Sequence, residues 1–228
     1  MPSSATLRAD FDRLAPYDHA GWSHNSHYHA ELLRHVPRGG LALDIGCGAG
    51  AFARLLATRA DRVLGLDLSP EMVRLARARS RAYPGVQYVV ADVLACDFPP
   101  ASFDTIASIA TLHHMPLASI LNRVAAWLMP GGVFIALDLF EADGARDRLL
   151  SALAVPTSAL HRVARTGRMR ESTAEQAAWA AHGVHDRYLT VAAARHIASR
   201  TLPGAIVRQH LFWRTSIVWR KPLARRPA

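Results

Sequence analysis

The sequence predicts a doubly wound α/β fold built on a seven-stranded sheet that is mostly parallel and has an antiparallel last strand. Short apolar runs alternate with helical patterns between residues 41 and 140, as is typical of a parallel sheet covered by helices. A glycine-rich turn follows the first of these runs. Two further apolar runs near the C-terminus are joined so closely at Trp213–Thr215 that they must pair in antiparallel fashion.

The first five strands are predicted from the apolar runs at 41–45, 62–67, 86–92, 103–110 and 132–140. Ser69 and Pro70 suit the N-cap and first position of a helix after the second strand, because a hydroxyl accepts from free helix amides and proline has none to leave unpaired. Thr190 suits the N-cap of a later helix for the same reason. The helices and strands therefore alternate as a doubly wound sheet requires.

We expect one domain, because 228 residues suffice for one α/β core and a few extra segments. Residues 142–185 are rich in alanine and arginine and poor in strand formers, which predicts a helical insertion. The expected regions are an N-terminal lid segment (1–38), a core (39–140), the insertion (141–185) and a C-terminal helix with a strand pair (186–228).

Composition argues against several classes of protein. No apolar run reaches the roughly 18 residues of a transmembrane helix, and the N-terminus lacks the basic and apolar segments of a secretory signal. Cys47 and Cys96 lie in apolar or glycine-rich contexts, so no disulfide is expected. These features favour a cytoplasmic protein without a membrane partner.

The formal net charge of +9 raises the question of a nucleic-acid partner. Almost all of the positive charge is arginine, Lys221 being the only lysine, and it is scattered apart from groups at 74–81 and 220–226. The first group falls on one predicted helix, where it fits a solvated face. Because a nucleic-acid site needs clustering on a surface rather than net charge, this interpretation is the less favoured one.

The segment with the clearest chemical meaning follows the first strand. Glycines at 46, 48 and 50 let the chain turn sharply and let its backbone approach a ligand. Gly46, Gly48 and Ala51 also fit a dinucleotide-binding pattern, with Asp67 as its ribose acid. Two further acids favour another nucleoside: Asp44 suits a ligand with an ammonium group, and Asp92 could accept from an adenine amino group.

Residues 41–140 resemble a class I S-adenosylmethionine (SAM)-dependent methyltransferase of the kind that acts on small molecules, which has a Rossmann-like fold. The match rests on the glycine loop and four further motifs, namely LDIGCGAG, GLDLSPEMV, VVADVLACDFPPASFD, LHHM and PGG. The resemblance implies SAM as the cofactor and methyl transfer to oxygen or nitrogen of a small organic acceptor. The acceptor itself, and whether the protein is a monomer or a homodimer, stay open.

The resemblance also implies the cofactor contacts. Asp44 and the loop backbone would hold the methionine moiety, Asp67 would take both ribose hydroxyls, and Asp92 would face the base. The full expected set is Asp44, Gly46, Cys47, Gly48, Gly50, Asp67, Leu68, Met72, Asp92, Val93, Ser108, Ile109 and Tyr17. Structural roles are the alternatives: Asp44 or Asp92 could cap a turn, and Met72 could be core.

His113 and His114 follow the fourth strand and are the candidate catalytic residues, since histidine suits proton transfer near neutral pH. The alternative is a packed histidine bonded to a backbone carbonyl. In some quinone O-methyltransferases a related loop reads E-x-x-E-H and holds a metal ion. Here the loop is Ala110–His114 and lacks both acids, so no metal is expected.

The histidine-rich N-terminal segment allows two interpretations. A metal site is disfavoured, because His27 and His29 are two residues apart and no cysteine or paired acid completes a ligand set. We expect instead a lid, with His27 and His29 toward the substrate and Tyr17 toward the cofactor. The insertion residues His161, Trp179, His182 and His185 could line the acceptor pocket or form a dimer contact.

Two other functions compete with small-molecule methylation. One is an RNA or protein methyltransferase that uses the basic surface; many amino-methylating nucleic-acid enzymes carry an N/D-P-P-Y/F/W loop, and here the loop reads IATLHHM. The other is a non-catalytic, SAM-binding regulatory protein, which would turn over no acceptor.

Overall fold

The computed structural model describes residues 2–18, 21–144, 173–184 and 186–223. Seven strands form one sheet in the order β3-β2-β1-β4-β5-β7-β6. The strands are β1 Leu41–Ile45, β2 Arg62–Asp67, β3 Val86–Val90, β4 Phe103–Ile109, β5 Leu128–Leu139, β6 Ile206–His210 and β7 Arg214–Arg220. Strands β1 to β5 run parallel, and β7 is antiparallel to both of its neighbours. The predicted fold class is confirmed.

Seven α-helices are formed by the described residues: α1 Ser4–Leu14, α2 His29–Leu33, α3 Ala51–Leu56, α4 Pro70–Arg79, α5 Leu117–Trp127, α6 Thr173–Gly183 and α7 Val191–Thr201. The predicted caps are confirmed, since the Ser69 hydroxyl accepts from the Met72 amide and the Thr190 hydroxyl from the Ala193 amide. Helix α6 belongs to the predicted insertion, of which residues 145–172 and 185, including His161, lie outside the described residues.

Both faces of the sheet are buried, as the doubly wound architecture requires. Ile106 and Phe134 pack on one side with α5 and α7, whereas Ala107 and Ile135 pack on the other with α2, α3 and α4. The alternation follows from the strand, in which successive side chains point to opposite faces. This burial holds the central strands rigidly beneath the loops at their carboxyl ends.

The strand order reverses at β1, which lies between β2 and β4. In such sheets the crevice for a ligand opens outside the carboxyl ends of the strands at this reversal. The register pairs Ile45 at the end of β1 with both Leu66 and Ser108. The glycine loop, Asp67 and Ile109 therefore lie at the same edge of the sheet.

Strands β3, β4 and β5 end at Val90, Ile109 and Leu139, slightly before the predicted 92, 110 and 140, and two other boundaries differ as well. The turn between the last two strands lies at Leu211–Trp213 rather than at Trp213–Thr215, and Phe212 and Trp213 adopt φ angles of 58° and 55° there. Bulky residues seldom adopt positive φ, so the sequence does not signal this turn. Strand β5 begins at Leu128 instead of Gly132, because Leu128 already pairs with Phe103 before a register shift.

None of the helices in the described residues combines the length and the apolar character that crossing a membrane would require.

We expect Ile106→Ala to lower the free energy of unfolding by about 2–5 kcal/mol, because it leaves a cavity in the fully buried central strand. Ile206→Ala is the matched control on edge strand β6, where the side chain is 52% exposed, and it should change stability by less than about 0.5 kcal/mol. Urea unfolding measures both. Equal losses in the two variants would contradict the assigned core.

Candidate functional site

A cavity of about 690 Å³ opens at the carboxyl ends of β1, β2 and β4. Its floor is formed by the glycine loop and the residues that follow these strands. Helix α1 covers it from one side with Ser4, Leu7 and Phe11, and α6 contributes Trp179 and His182. The cavity therefore joins the loop predicted to hold the cofactor to the histidines after β4.

The glycine loop bends in the left-handed region. Gly46, Gly48 and Gly50 have φ angles of 68°, 51° and 78°. At Gly46 there is no room for a side chain either, because a Cβ atom would lie 2.3 Å from Cγ2 of Thr111. Glycine is needed at Gly46 both for its conformation and for the close approach of the neighbouring loop.

Asp67 ties β2 to the glycine loop. Its Oδ2 accepts from the Gly48 amide at 2.8 Å and its Oδ1 accepts from the Ser69 amide at 2.9 Å. Burial raises the pKa of this carboxyl, and the two amides oppose that rise. Since each carboxylate oxygen can accept more than one hydrogen bond, Asp67 retains capacity for ligand hydroxyl groups in the cavity it lines.

Asp44 lies at the root of the same loop but does not line the cavity. It is 1% exposed, and neither carboxylate oxygen has a hydrogen-bond partner. Burial, reinforced by the negative charge of Asp67, raises the pKa of Asp44 to about 7. The structure therefore places an unpartnered acid beside the loop, where a nearby positive charge would stabilise its ionised form.

The far end of the cavity contains the predicted adenine-side residues Leu68, Met72, Asp92 and Val93. Asp92 Oδ1 accepts from the Leu94 amide at 2.9 Å, which is the turn-capping role considered as its alternative. Its Oδ2 accepts from the Ser4 hydroxyl at 2.7 Å. One side chain thus caps a turn and also receives the first turn of the covering helix α1.

Several predicted residues lie away from the cavity: Tyr17, His27, His29, Cys47, Gly50 and Ser108. Ser108 is buried and donates to the Ile45 carbonyl at 3.2 Å, which links β4 to β1. The His29 ring packs on Phe52 with centroids 5.0 Å apart, and burial lowers its pKa to about 4. The structure therefore brings neither His27 nor His29 to the site, and the cover comes from α1.

The apolar pattern of residues 7–14 is consistent with α1 covering the cavity. Leu7, Phe11 and Leu14 are spaced as the apolar stripe of an amphipathic helix. In the structure Leu7 and Phe11 line the cavity, and Leu14 packs with Ala49 and Met72 beside the glycine loop. The N-terminal segment therefore reaches the cavity through α1, whereas Tyr17, His27 and His29 do not line it.

Both candidate catalytic histidines line the opposite end of the cavity. Nδ1 of His113 lies 2.6 Å from Oδ1 of Asp138, and the rings of His113 and His114 are 3.9 Å apart between centroids. Burial, assisted by the neighbouring His113 and His182, lowers the pKa of His114 to about 3. The structure thus brings the two rings together in a protected corner.

This corner includes residues that the sequence analysis missed, namely Asp138, Asp186, Tyr188 and Arg214. Arg214 donates from Nε to the Asn25 side chain at 2.7 Å, and burial lowers its pKa to about 10. A second, mainly apolar cavity of about 200 Å³ adjoins the first and shares His113, Met115, Leu139 and Tyr188 with it. The corner can therefore hold a polar group and an apolar extension together.

Comparison with known proteins supports these assignments of fold. A family model described as a methyltransferase domain matches residues 43–136. An uncharacterised methyltransferase of Mycobacterium tuberculosis is 31% identical over 205 residues, which cover 89% of this chain and 98% of that protein. The 2-phytyl-1,4-naphtoquinone methyltransferase of Thermosynechococcus vestitus is 34% identical over 143 residues, 58% of this chain and 64% of its own. A solved S-adenosylmethionine-dependent methyltransferase of Mesorhizobium loti gives a TM-score of 0.59 at 23% identity, with 84% and 96% of the two chains covered.

We expect wild-type stability, measured relative to Asp44→Asn, to fall as the pH rises from about 4 to about 7. The reason is that a carboxyl whose pKa is raised by folding stabilises the protein below its unfolded pKa, and this contribution is lost as the pH passes the folded pKa. The full change is on the order of 4 kcal/mol for a shift of this size. Denaturant unfolding across this pH range measures it.

Asp97→Asn is the matched control for this measurement, because Asp97 is exposed and its substitution should leave the pH profile unchanged. Parallel profiles for wild type and Asp44→Asn would contradict the burial of a strained, protonatable carboxyl at Asp44.

Proposed function

Because the chain belongs to the class I SAM-dependent methyltransferases, we propose that it transfers a methyl group from SAM to oxygen or nitrogen of a small organic acceptor. The observation that carries this proposal is the single cavity that joins Asp67 and Asp92 at one end to His113 and His114 at the other. A donor held at the first end and an acceptor held at the second would meet within one enclosed space.

The residues at the first end fit the shape and polarity of SAM. Asp67 would receive the ribose hydroxyls, and Asp92 would face the adenine amino group between the apolar side chains of Leu68, Met72 and Val93. Gly46 and Gly48 line the cavity, so the loop backbone could approach the methionine portion closely. SAM, when bound, supplies an electrophilic methyl group on a positively charged sulfur.

The ionisation of Asp44 provides a further match. The methionine portion of SAM carries an ammonium group, and this charge would favour the ionised form of an acid that has no partner in the structure. The group would also be attracted by Asp67, whose charge already acts on Asp44. The negative charges of Asp44 and Asp67 would thus attract a cationic ligand, whereas they would repel the pyrophosphate of a dinucleotide.

At the second end the residues of this chain position the acceptor. Transfer to oxygen requires the acceptor hydroxyl to lose its proton, and we assign acceptance of that proton to His113, because the lowered pKa of His114 makes it the weaker base. Asp138 fixes the His113 ring through Nδ1, which leaves Nε2 as the unpaired ring nitrogen. The cover formed by α1 and α6 limits water, so alignment of the reacting atoms supplies much of the acceleration.

The lining of the acceptor end favours an apolar ring system that carries a hydroxyl group. Met115, Leu139 and the adjoining 200 Å³ cavity provide apolar surface, whereas the histidines and Tyr188 provide polar contacts. One similar protein is named for its action on a phytylated naphtoquinone. A reduced quinone or a related phenol is therefore the acceptor class that we propose.

The basic helix does not favour a nucleic-acid substrate. On α4, Arg77 donates to the Tyr88 carbonyl at 2.7 Å and Arg79 binds Asp18, while Arg74 pairs with Glu71 at 2.8 Å. These arginines are engaged in contacts within the chain, which supports the interpretation that this group has a structural role. The small-molecule acceptor remains the proposal.

We expect Asp67→Asn to weaken the binding of S-adenosylhomocysteine by about tenfold or more, because charge-assisted hydrogen bonds to the ribose are worth about 1.5–3 kcal/mol. Isothermal titration measures the affinity, with Asp97→Asn as the exposed control. Wild-type affinity in Asp67→Asn, or stabilisation of the protein by NAD instead, would contradict the assignment of this end of the cavity.

We expect the wild-type protein to methylate a reduced naphthoquinone or a simple catechol in the presence of SAM, and His113→Gln to lower kcat by about a hundredfold. Binding of S-adenosylhomocysteine should stay unchanged in that variant, since His113 lies at the acceptor end. Mass spectrometry of the product measures turnover. Tight cofactor binding with no transfer to phenols, quinols or amines would favour a regulatory SAM-binding protein.

A further inference from the structure

Polar atoms without hydrogen-bond partners are concentrated at the acceptor end of the cavity. They are Oδ2 of Asp10, Nε2 of His114, Nδ1 of His182 and Oδ1 of Asp186. The four side chains are only 4–6% exposed. Because buried polar atoms in proteins are nearly always hydrogen-bonded, four unpartnered ones in one corner point to a ligand.

The other ring nitrogen of His114 and of His182 faces the unpartnered Oδ1 of Asp186, at a spacing that suits a metal ion better than a direct hydrogen bond. Oδ1 of Asp186 lies 3.6 Å from Nδ1 of His114 and 3.7 Å from Nε2 of His182. Both distances are too long for a hydrogen bond. Two ligand atoms on a tetrahedral ion with bonds of about 2.0–2.1 Å are roughly 3.4 Å apart, which is close to the observed separation.

A third ligand is supplied by His113. One atom from each of His113, His114 and Asp186 lies within 4.8 Å of the other two. The three residues line the same cavity, and their side chains are 5–6% exposed. These three atoms are the ones that would contact one ion.

Neighbouring side chains orient two of the proposed ligands, His113 and Asp186. Nδ1 of His113 is paired with Asp138 at 2.6 Å, and Oδ2 of Asp186 accepts from the Tyr188 hydroxyl at 2.6 Å. Such outer partners fix the orientation of a ligating side chain and leave its other atom available. Asp186 thus offers its unpartnered Oδ1 for coordination, and His113 would use the ring nitrogen that does not face Asp138.

We propose that His113, His114 and Asp186 bind one divalent first-row transition-metal ion. Two imidazoles and a carboxylate suit zinc, iron, cobalt or nickel, whereas magnesium and calcium prefer oxygen ligands alone. Three protein ligands leave coordination positions open toward the cavity, as in catalytic metal sites. That these positions receive the acceptor oxygen rests on the proposed function, and with an ion bound, activation of the hydroxyl would fall to the ion rather than to the free His113 ring. The binding of the ion does not rest on the proposed function.

The sequence alone predicts no metal, because the loop after β4 lacks its own acids. In the structure the carboxylate comes instead from Asp186, which follows α6 and is far from the loop in the chain. His182 also lies beside Asp186, with its Nδ1 3.6 Å from Asp10 on α1. The site therefore forms only when α1 and α6 are packed over the loop.

The test uses the full chain, produced without a histidine tag and freed of metals by a chelator. Zn²⁺ and Co²⁺ are titrated separately by calorimetry, with the visible absorption of Co²⁺ as a second measurement. We expect one ion per chain in the wild type. We expect Asp186→Asn and His114→Gln to weaken binding by more than about tenfold, because each removes a ligand.

His196→Ala is the matched control, since His196 is exposed on α7 and its loss should leave metal binding unchanged. The thermal shift caused by S-adenosylhomocysteine is recorded for every variant. A shift equal to that of the wild type shows that the fold and the cofactor end are intact. Magnesium, titrated in the same way, should bind far more weakly than zinc.

The outcomes separate the two proposals. Failure of the wild type to bind Zn²⁺ or Co²⁺, or undiminished binding in both Asp186→Asn and His114→Gln, would overturn the metal site even if S-adenosylhomocysteine still binds. Absence of any stabilisation by S-adenosylhomocysteine, with metal binding retained, would overturn the proposed function alone. Methyl transfer that survives complete removal of the ion would overturn its role toward the acceptor.

Discussion

The left-handed bend at Gly46 is the constraint on which the site depends. The bend lets the loop after β1 lie against Thr111, whose side chain occupies the space of a missing Cβ. The same loop presents the Gly48 amide to Asp67, so the carboxyl ends of β1, β2 and β4 are fixed to one another. The cavity opens from this junction, and both of its ends are placed relative to it.

Much of the fold could be predicted because local patterns determine it. Strands β1 and β2 begin and end where the runs predicted at 41–45 and 62–67 do, since apolar residues predominate within both runs. The turn at Phe212 could not be predicted in this way. A positive φ at an aromatic residue is tolerated there because its ring is buried beside Trp22, a contact between distant parts of the chain.

The two ends of the cavity also differ in how far local sequence patterns predict their residues. Asp67 and Asp92 follow strands within one continuous motif, so their positions at the sheet edge could be inferred from spacing. At the other end Asp138, Asp186 and Arg214 come from three separate segments, and only tertiary packing brings them beside the histidines. No local pattern links these residues, which is why the histidine pair was identified and its surroundings were not.

Helix α1 contacts residues at both ends of the cavity. Its first turn reaches Asp92 through Ser4 at 2.7 Å, and about two turns further on Phe11 packs against His182 with ring centroids 4.8 Å apart. Because α1 contacts residues at both ends, it covers the two ends as one unit. A movement that lifted α1 from the sheet edge would therefore expose the two ends of the cavity together rather than independently.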